Sequence, residues 1–353
     1  MVPGGESIGG EDRLTMCMDT FAKLVGIVSA SWMSQAACVA AELRIADLLA
    51  GGPKRVDELA KAAGCHAPSL ARFMRALTSF EICVERNDGS FELTPMGSLL
   101  RADAPNSLRS WTIMWGKHQW PVWGNLLFSV RTGESARKLV RGTEGFEHLA
   151  RNPETAAVFN EAMVEITRFA VSEVVRAYDF TGSRRIVDVG GGYGDLLAAI
   201  LKAFPQTRGA VFDMPHALDG ARQRAEKARV ADRCEFVAGD FFESVPRGSD
   251  VYVLKNIIHD WNDERSAVIL RNCRKAMSQD AKLLLVERIF PARVEASEAH
   301  QDLARADLNM LLGPGGHERT ETEFRNLLGA AGFGAIRIIP TATDFSIIES
   351  VAS

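Results

Sequence analysis

Four groups of residues could do chemistry, and each stands where an apolar run stops. Gly190, Gly192 and Gly194 form a G-x-G-x-G loop directly after Arg185-Ile186-Val187-Asp188-Val189. Glycines there let a backbone turn tightly against a ligand, as a nucleotide site requires. The dinucleotide spacing G-x-G-x-x-G would need glycine where Asp195 stands, so NAD is disfavoured. Gly209-Ala210-Val211-Phe212 ends on Asp213, roughly twenty residues beyond the first loop glycine, where a carboxylate suits a ribose diol. Cys234-Glu235-Phe236-Val237-Ala238 ends in Gly239-Asp240-Phe241-Phe242. There an acid can accept from an exocyclic amine while an aromatic face covers a purine. A fourth run, Asp250-Val251-Tyr252-Val253-Leu254, leads into Lys255-Asn256-Ile257-Ile258-His259-Asp260-Trp261 and brings an imidazole to the same edge.

Such side chains share a crevice only if the runs are adjacent parallel strands, because ligands of open α/β sheets lie beyond the strands' carboxyl ends. The pattern supports that. A helical stretch follows the glycine loop, another covers 266–277, and a fifth run, Lys282 to Val286, ends on Glu287. Two closing strands, Ala335 to Ile339 and Phe345 to Glu349, read as an antiparallel addition. The expected fold class is therefore α/β.

The ordered strings V-D-V-G-G-G-Y-G, F-D-M-P, G-D-F-F, L-K-N-I-I-H-D-W and G-G-H-E-R-T resemble the S-adenosylmethionine-dependent O-methyltransferases of the caffeate, acetylserotonin and bacterial polyketide type. That resemblance implies a Rossmann-like methyltransferase domain over 105–353, comprising a helical acceptor-pocket segment (105–180) and a core (181–353). It implies a mostly helical, winged-helix-like dimerisation domain over 1–104. S-adenosylmethionine is the implied cofactor, with Gly190 at its methionine moiety, Asp213 at ribose, Asp240 and Phe241 at adenine, and Lys255 nearby. Phe159-Asn160-Glu161-Ala162-Met163 is similar to the family's F-N-x-x-M segment, which places Phe159 and Met163 at an aromatic acceptor and Thr167 at the cofactor. Asp307, Asn309 and Met310 fall where relatives line the acceptor pocket, and Glu287 and Glu318 match two acids flanking the histidine. His259 is then the expected base. An imidazole near 6.5 lies about 3.5 units below a phenol near 10, so its basicity must be raised by a carboxylate on the far ring nitrogen.

The remaining chain gives the setting. It has 353 residues, a formal charge of −4 and 24% charged residues, a composition that disfavours general nucleic-acid binding. Six cysteines stand singly without metal spacing, no metal is expected, and the N-terminus lacks a secretory pattern, so a cytoplasmic protein is expected. Thr15 to about Ala50 reads as one helix. Its uncharged stretch Leu24–Ala41 is interrupted by Ser29, Ser31, Ser34 and Gln35, and a buried helix at a subunit contact is expected rather than a membrane span. Two short helices and a hairpin from Val56 to Thr94 make a winged-helix shape, hence a rival reading as a transcription regulator, yet no basic stripe is present. Trp111, Met114, Trp115 and His118 fall on one expected helical face; for Trp115 and His118, core packing and a pocket wall remain equally open. Pro153 to Ala177 reads as a long helix with Phe159, Met163, Ile166 and Ala170 in one stripe. Relatives that methylate nitrogen or carbon, or use the cofactor for hydroxylation, supply the alternative enzyme reading.

Overall fold

The structure, a computed structural model, describes residues 10–143 and 146–353. It divides into two compact units, Met1–Lys117 and His118–Ser353.

In the first unit, helices Gly10–Glu42, Ile45–Leu49, Val56–Ala63 and Ala67–Ser79 precede a hairpin of β1 (Cys83–Glu85) and β2 (Phe91–Leu93). The expected single helix to Ala50 is broken, because Arg44 takes a left-handed conformation with φ 55° between its two parts. Gly64 and Pro68 end and open the next two helices as their residue types require. Ile45, Leu49, Leu59, Leu70, Met74, Leu77 and Phe91 form the core.

The single chain does not itself supply the burial expected of the long helix: Phe21, Leu24, Ile27, Val28 and Trp32 face solvent in it, with Trp32 71% exposed. Asp19–Glu42 is also long and apolar enough to cross a membrane.

The second unit is built on a seven-stranded sheet. Its strands are β3 (Arg185–Val189), β4 (Arg208–Asp213), β5 (Cys234–Ala238), β6 (Val251–Lys255), β7 (Lys282–Arg288), β8 (Phe333–Pro340) and β9 (Phe345–Ala352), in the order β5-β4-β3-β6-β7-β9-β8. The first five are parallel, and β9 runs antiparallel to both β7 and β8. Alternation sends Ile186, Leu284 and Val286 to one core and Val187, Leu283 and Leu285 to the other. Both faces are thus buried, which explains why these strands read as continuous apolar runs. The chain leaves β3 toward β4 and β5, then returns to place β6 on β3's other side; the crevice opens at this reversal.

Two helical expectations change. Met114–Gln119 is a π-helix between α-helical turns, and its wider turn breaks the three-and-four spacing that would align Trp111 with His118. On Pro153–Ala177 the buried face runs through Ala156, Asn160, Thr167, Ala170, Val171 and Val174, while Ile166 is exposed. The buried stripe lies one step from the expected one because polar Asn160 and Thr167 turn inward. The irregular stretch after Pro291 also ends sooner than expected, since Ser297 caps a helix over Glu298–Leu312.

Candidate active site

The glycine loop is shaped by contacts that exclude a side chain. Gly190 has φ 69°, and a Cβ there would lie 2.5 Å from Ile257 Cδ1. A Cβ on Gly191 would meet the Asp188 carboxylate at 2.8 Å. Gly190 N donates to Phe212 O at 2.8 Å, and Gly192 N to Asp213 Oδ2 at 2.7 Å, tying the loop to the end of β4. Asp213 Oδ1 takes the Met214 amide at 2.6 Å, so each oxygen holds one donor and keeps capacity for a ligand hydroxyl. Burial raises this carboxyl above its usual range despite both amides.

At the end of β5, Asp240 Oδ1 accepts from Phe242 N at 2.8 Å. Asn272 Nδ2 holds the carbonyls of Phe241 and Phe242 at 3.0 and 2.9 Å, fixing the aromatic pair against Trp261. Phe241 Cε1 would be 3.5 Å from a Gly190 Cβ, so the Phe241 ring flanks the loop. From β6, Lys255 Nζ donates to Thr167 Oγ1 at 3.3 Å, and Thr167 donates to Met163 O at 2.6 Å. Burial lowers the Lys255 pKa against the opposing pull of Asp188, Asp195 and Glu287.

Sequence reasoning misses several groups around this loop. Asp188 is 3% exposed, burial pushes its pKa up to about 7, and its Oδ2 has no hydrogen-bond partner. Asp195 Oδ2 and Asn160 Nδ2 are likewise buried without partners. These two acceptors and one donor surround a loop that admits no Cβ at Gly190, Gly191 or Gly194, a set that fits an amino-acid terminus with its ammonium and carboxylate. Asn160 lies within the F-N-x-x-M segment, yet that resemblance gives it no role; its inward turn on an otherwise apolar helix face is the signal that could have found it.

His259 lies on a 3₁₀ turn, Ile258–Asp260, after β6 and is 7% exposed. Its Nδ1 is 3.0 Å from Glu318 Oε1 and 3.7 Å from Glu287 Oε2, while Nε2 is 3.8 Å from Asp260 Oδ1. Glu287 sits at the end of β7, fully buried, and its Oε1 accepts from Ile257 N and Ile258 N at 3.0 and 2.8 Å. Burial alone would lower the His259 pKa. Glu318, Glu287 and Asp260 outweigh it and raise it to about 10. In turn, His259 draws Glu318 below the usual range despite burial, whereas burial raises Glu287, and raises Asp260 to about 6. The 3.0 Å contact of Nδ1 with Glu318 leaves Nε2 as the nitrogen facing away from Glu318 and Glu287.

The turn carrying His259 is held from the 316–319 segment. Arg319, 0% exposed, donates from Nη1 to Ile258 O at 2.8 Å and from Nη2 to Trp261 O at 2.7 Å. A Cβ on Gly316 would lie 2.0 Å from His259 O. Neither residue stands out from sequence, although both belong to the G-G-H-E-R-T string.

The expected acceptor residues are distributed unevenly. Phe159 packs on Phe146 at 5.5 Å, and Phe146 on Trp261 at 6.1 Å, which links that residue to the turn of His259. Asp307 Oδ1 accepts from Glu318 N at 2.9 Å. Asn309 Oδ1 instead accepts from Trp123 Nε1 at 3.4 Å, and Met310 is buried. Two residues apart on a helix, Asp307 and Asn309 point in nearly opposite directions and cannot line one wall together. His118 gives its carbonyl to Arg141, and Trp115 meets Trp111 edge-on at 5.3 Å in the first unit. Among the described residues, no group of three or more His, Cys, Asp or Glu could hold a metal ion.

Comparison with known proteins then decides the family. Residues 123–334 match the O-methyltransferase domain, and residues 25–103 match the O-methyltransferase dimerisation domain. The chain belongs to the O-methyltransferase family. It is 43% identical to the phenazine O-methyltransferase PhzM of Lysobacter antibioticus, over 93% of this chain and 95% of that protein. It is 33% identical to the phenazine-1-carboxylate N-methyltransferase of Pseudomonas aeruginosa, over 92% and 95%. The crystal structure of LaPhzM superposes with a TM-score of 0.91 at 42% identity, covering 95% of this chain and 99% of that one. Human N-acetylserotonin methyltransferase in complex with S-adenosylmethionine superposes at 0.85 with 25% identity, covering 99% and 100%. This family member is an S-adenosylmethionine-dependent methyltransferase with a Rossmann-like core and a helical dimerisation domain, and the family acts on aromatic and polyketide-like molecules.

Proposed function

We propose that this enzyme methylates a hydroxyl of a small aromatic or polyketide-like molecule, with His259 Nε2 accepting the hydroxyl proton. The observation that carries this reading is the buried His259–Glu318 pair at 3.0 Å, backed by Glu287, at the end of the strand next to the glycine loop. S-adenosylmethionine, when bound, supplies the electrophilic methyl group and a positive charge that favours a phenolate. The chain does the rest. With its pKa raised to about 10, His259 matches a phenol near 10, so transfer from the hydroxyl to the imidazole is close to thermoneutral once the imidazole has given up its own proton. An imidazolium with a phenolate and an imidazole with a phenol carry the same number of protons, so the raised pKa serves either description. Glu318 on Nδ1 fixes the tautomer and leaves Nε2 toward the acceptor.

In the same reading Gly190, Asp188 and Thr167 surround the methionine end of the cofactor, with Lys255 behind Thr167. Asp213 takes the ribose hydroxyls, and Asp240 with Phe241 takes the adenine. Phe159 and Met163 present the acceptor face of the long helix, Asp307 positions Glu318, and buried Met310 belongs to the proposed acceptor wall. His118 and Asn309 complete the proposed acceptor set. The exposed apolar side of Gly10–Glu42, in a chain that carries a dimerisation domain, is proposed to be covered in a cytoplasmic homodimer.

His259→Ala tests the assignment. Turnover should fall by roughly 10²–10⁴-fold, the worth of a positioned base, with S-adenosylhomocysteine binding by calorimetry unchanged. Near-normal turnover with cofactor bound would leave proximity alone as the mechanism. A second reading, nitrogen as the methyl acceptor, is favoured by the 33% identity to an N-methyltransferase. Mass spectrometry of products from an aminophenol panel separates the two.

A further inference from the structure

The backbone of the His259 turn draws its partners from distant parts of the chain, and those partners divide the work. The amides of Ile257 and Ile258 are taken by Glu287. The two carbonyls that bracket the histidine, Ile258 O and Trp261 O, are taken by the two terminal nitrogens of Arg319. Ser266 Oγ reaches the same carbonyls at 3.3 and 3.1 Å, and accepts from Arg319 Nη2 at 3.3 Å. Asp263 Oδ1 closes the arrangement by accepting from Arg319 Nε and Nη2 at 3.0 and 2.8 Å.

We infer that Arg319 is a positioning residue that sets where His259 stands relative to Glu318, and that Gly316 is the spacer allowing it to do so. Three features carry this. The guanidinium is 0% exposed and yet makes its ion pair with a carboxylate that is mostly exposed, so its buried donors are used on the turn. Its neighbour in sequence, Glu318, holds the imidazole, so a single extended stretch grips the ring through one residue and the backbone through the next. That stretch is itself fixed to the chain just beyond β7 by Phe290 N donating to Arg319 O at 2.8 Å. Gly316 presses on the turn from the same side: a Cβ would fall 2.4 Å from Asp260 C and 2.5 Å from Trp261 N, and no flexible side-chain end is there to give way. Lysine, with a single point charge, cannot reach two carbonyls and a carboxylate together.

This inference rests on the reading of His259 as base, and its test separates the two. Arg319→Lys and Gly316→Ala perturb the turn from two directions, one without removing charge and the other without touching the arginine. Each should lower kcat at least about tenfold while the Kd for S-adenosylmethionine stays within about twofold, as misplacement of a reacting group predicts. The imidazole of His259, followed by NMR in the full chain, should titrate at lower pH in both variants, because a looser turn lengthens the contact with Glu318. Arg319→Ala, if it folds, should recover part of its turnover on addition of guanidinium. Titration and kcat indistinguishable from wild type in Arg319→Lys would overturn the inference, even with His259→Ala inactive. If His259→Ala were active, the base assignment would fall, and the NMR titration would still decide whether Arg319 sets the imidazole's environment.

Discussion

Replacing Glu318 with glutamine keeps the shape of the site and removes the charge bonded to His259 Nδ1. A hydrogen bond to a charged group is worth about 1.5–3 kcal/mol, which at 1.36 kcal/mol per unit is about one to two pKa units. With Glu287 at 3.7 Å and Asp260 at 3.8 Å still in place, His259 should therefore fall from about 10 to about 8–9. Two consequences oppose one another. As a weaker base, the variant should be slower on the alkaline plateau, roughly tenfold for the removal of one charge-assisted hydrogen bond. At pH 7, however, its neutral fraction rises from about 0.1% to about 1–10%, so the deficit should narrow as pH falls. Steady-state kcat from about pH 6 to about 10.5 reads this directly. The ratio of the two profiles removes the acceptor's own ionisation and the common effect of the bound sulfonium. Parallel profiles with a constant deficit would refute the reasoning, since Glu318 would then orient the ring without tuning it.

The same pair makes stability depend on pH. His259 is raised in the folded state, so its contribution is complete below the unfolded value near 6.5 and is lost as pH climbs through about 10; Glu318 is lowered, so its contribution fades as pH drops below about 4.5. Thermal melts should accordingly show the largest gap between wild type and Glu318→Gln at about pH 5–6, shrinking toward pH 10. Gly190→Ala places a side chain at φ 69° against Ile257, and should cost about 1–3 kcal/mol of stability and weaken S-adenosylmethionine binding at least about tenfold by calorimetry. Asp213→Asn sets an amide group against the Gly192 or Met214 N–H, and a loss of cofactor affinity of about tenfold or more is expected; unchanged affinity would remove Asp213 from the ribose site. Trp32→Asp on the exposed helix should shift light-scattering mass toward the monomer, and an unshifted mass would remove that face from the proposed contact.

What is legible in the sequence follows from how short-range its causes are. Asp213, Glu287 and Lys255 can be placed because each ends or follows a run of apolar residues, and a parallel sheet puts all such ends on one edge. Glycine spacing excludes a dinucleotide loop for the same local reason. What covers the long helix is less legible, because absence of charge says only that water is avoided, and a second chain excludes it as well as a core does. Asn160 and Thr167 displace the expected stripe because the stripe follows apolar residues alone, whereas these two polar side chains also turn inward. Arg319 is illegible for a further reason. Its partners are carbonyls of residues 258 and 261, and a backbone carbonyl has no signature in residue types. The proposed base is announced by a histidine at a strand end, whereas the contacts proposed to tune and aim it, a neighbouring carboxylate and a guanidinium on distant carbonyls, exist only once the chain has brought 258–261 and 316–319 together.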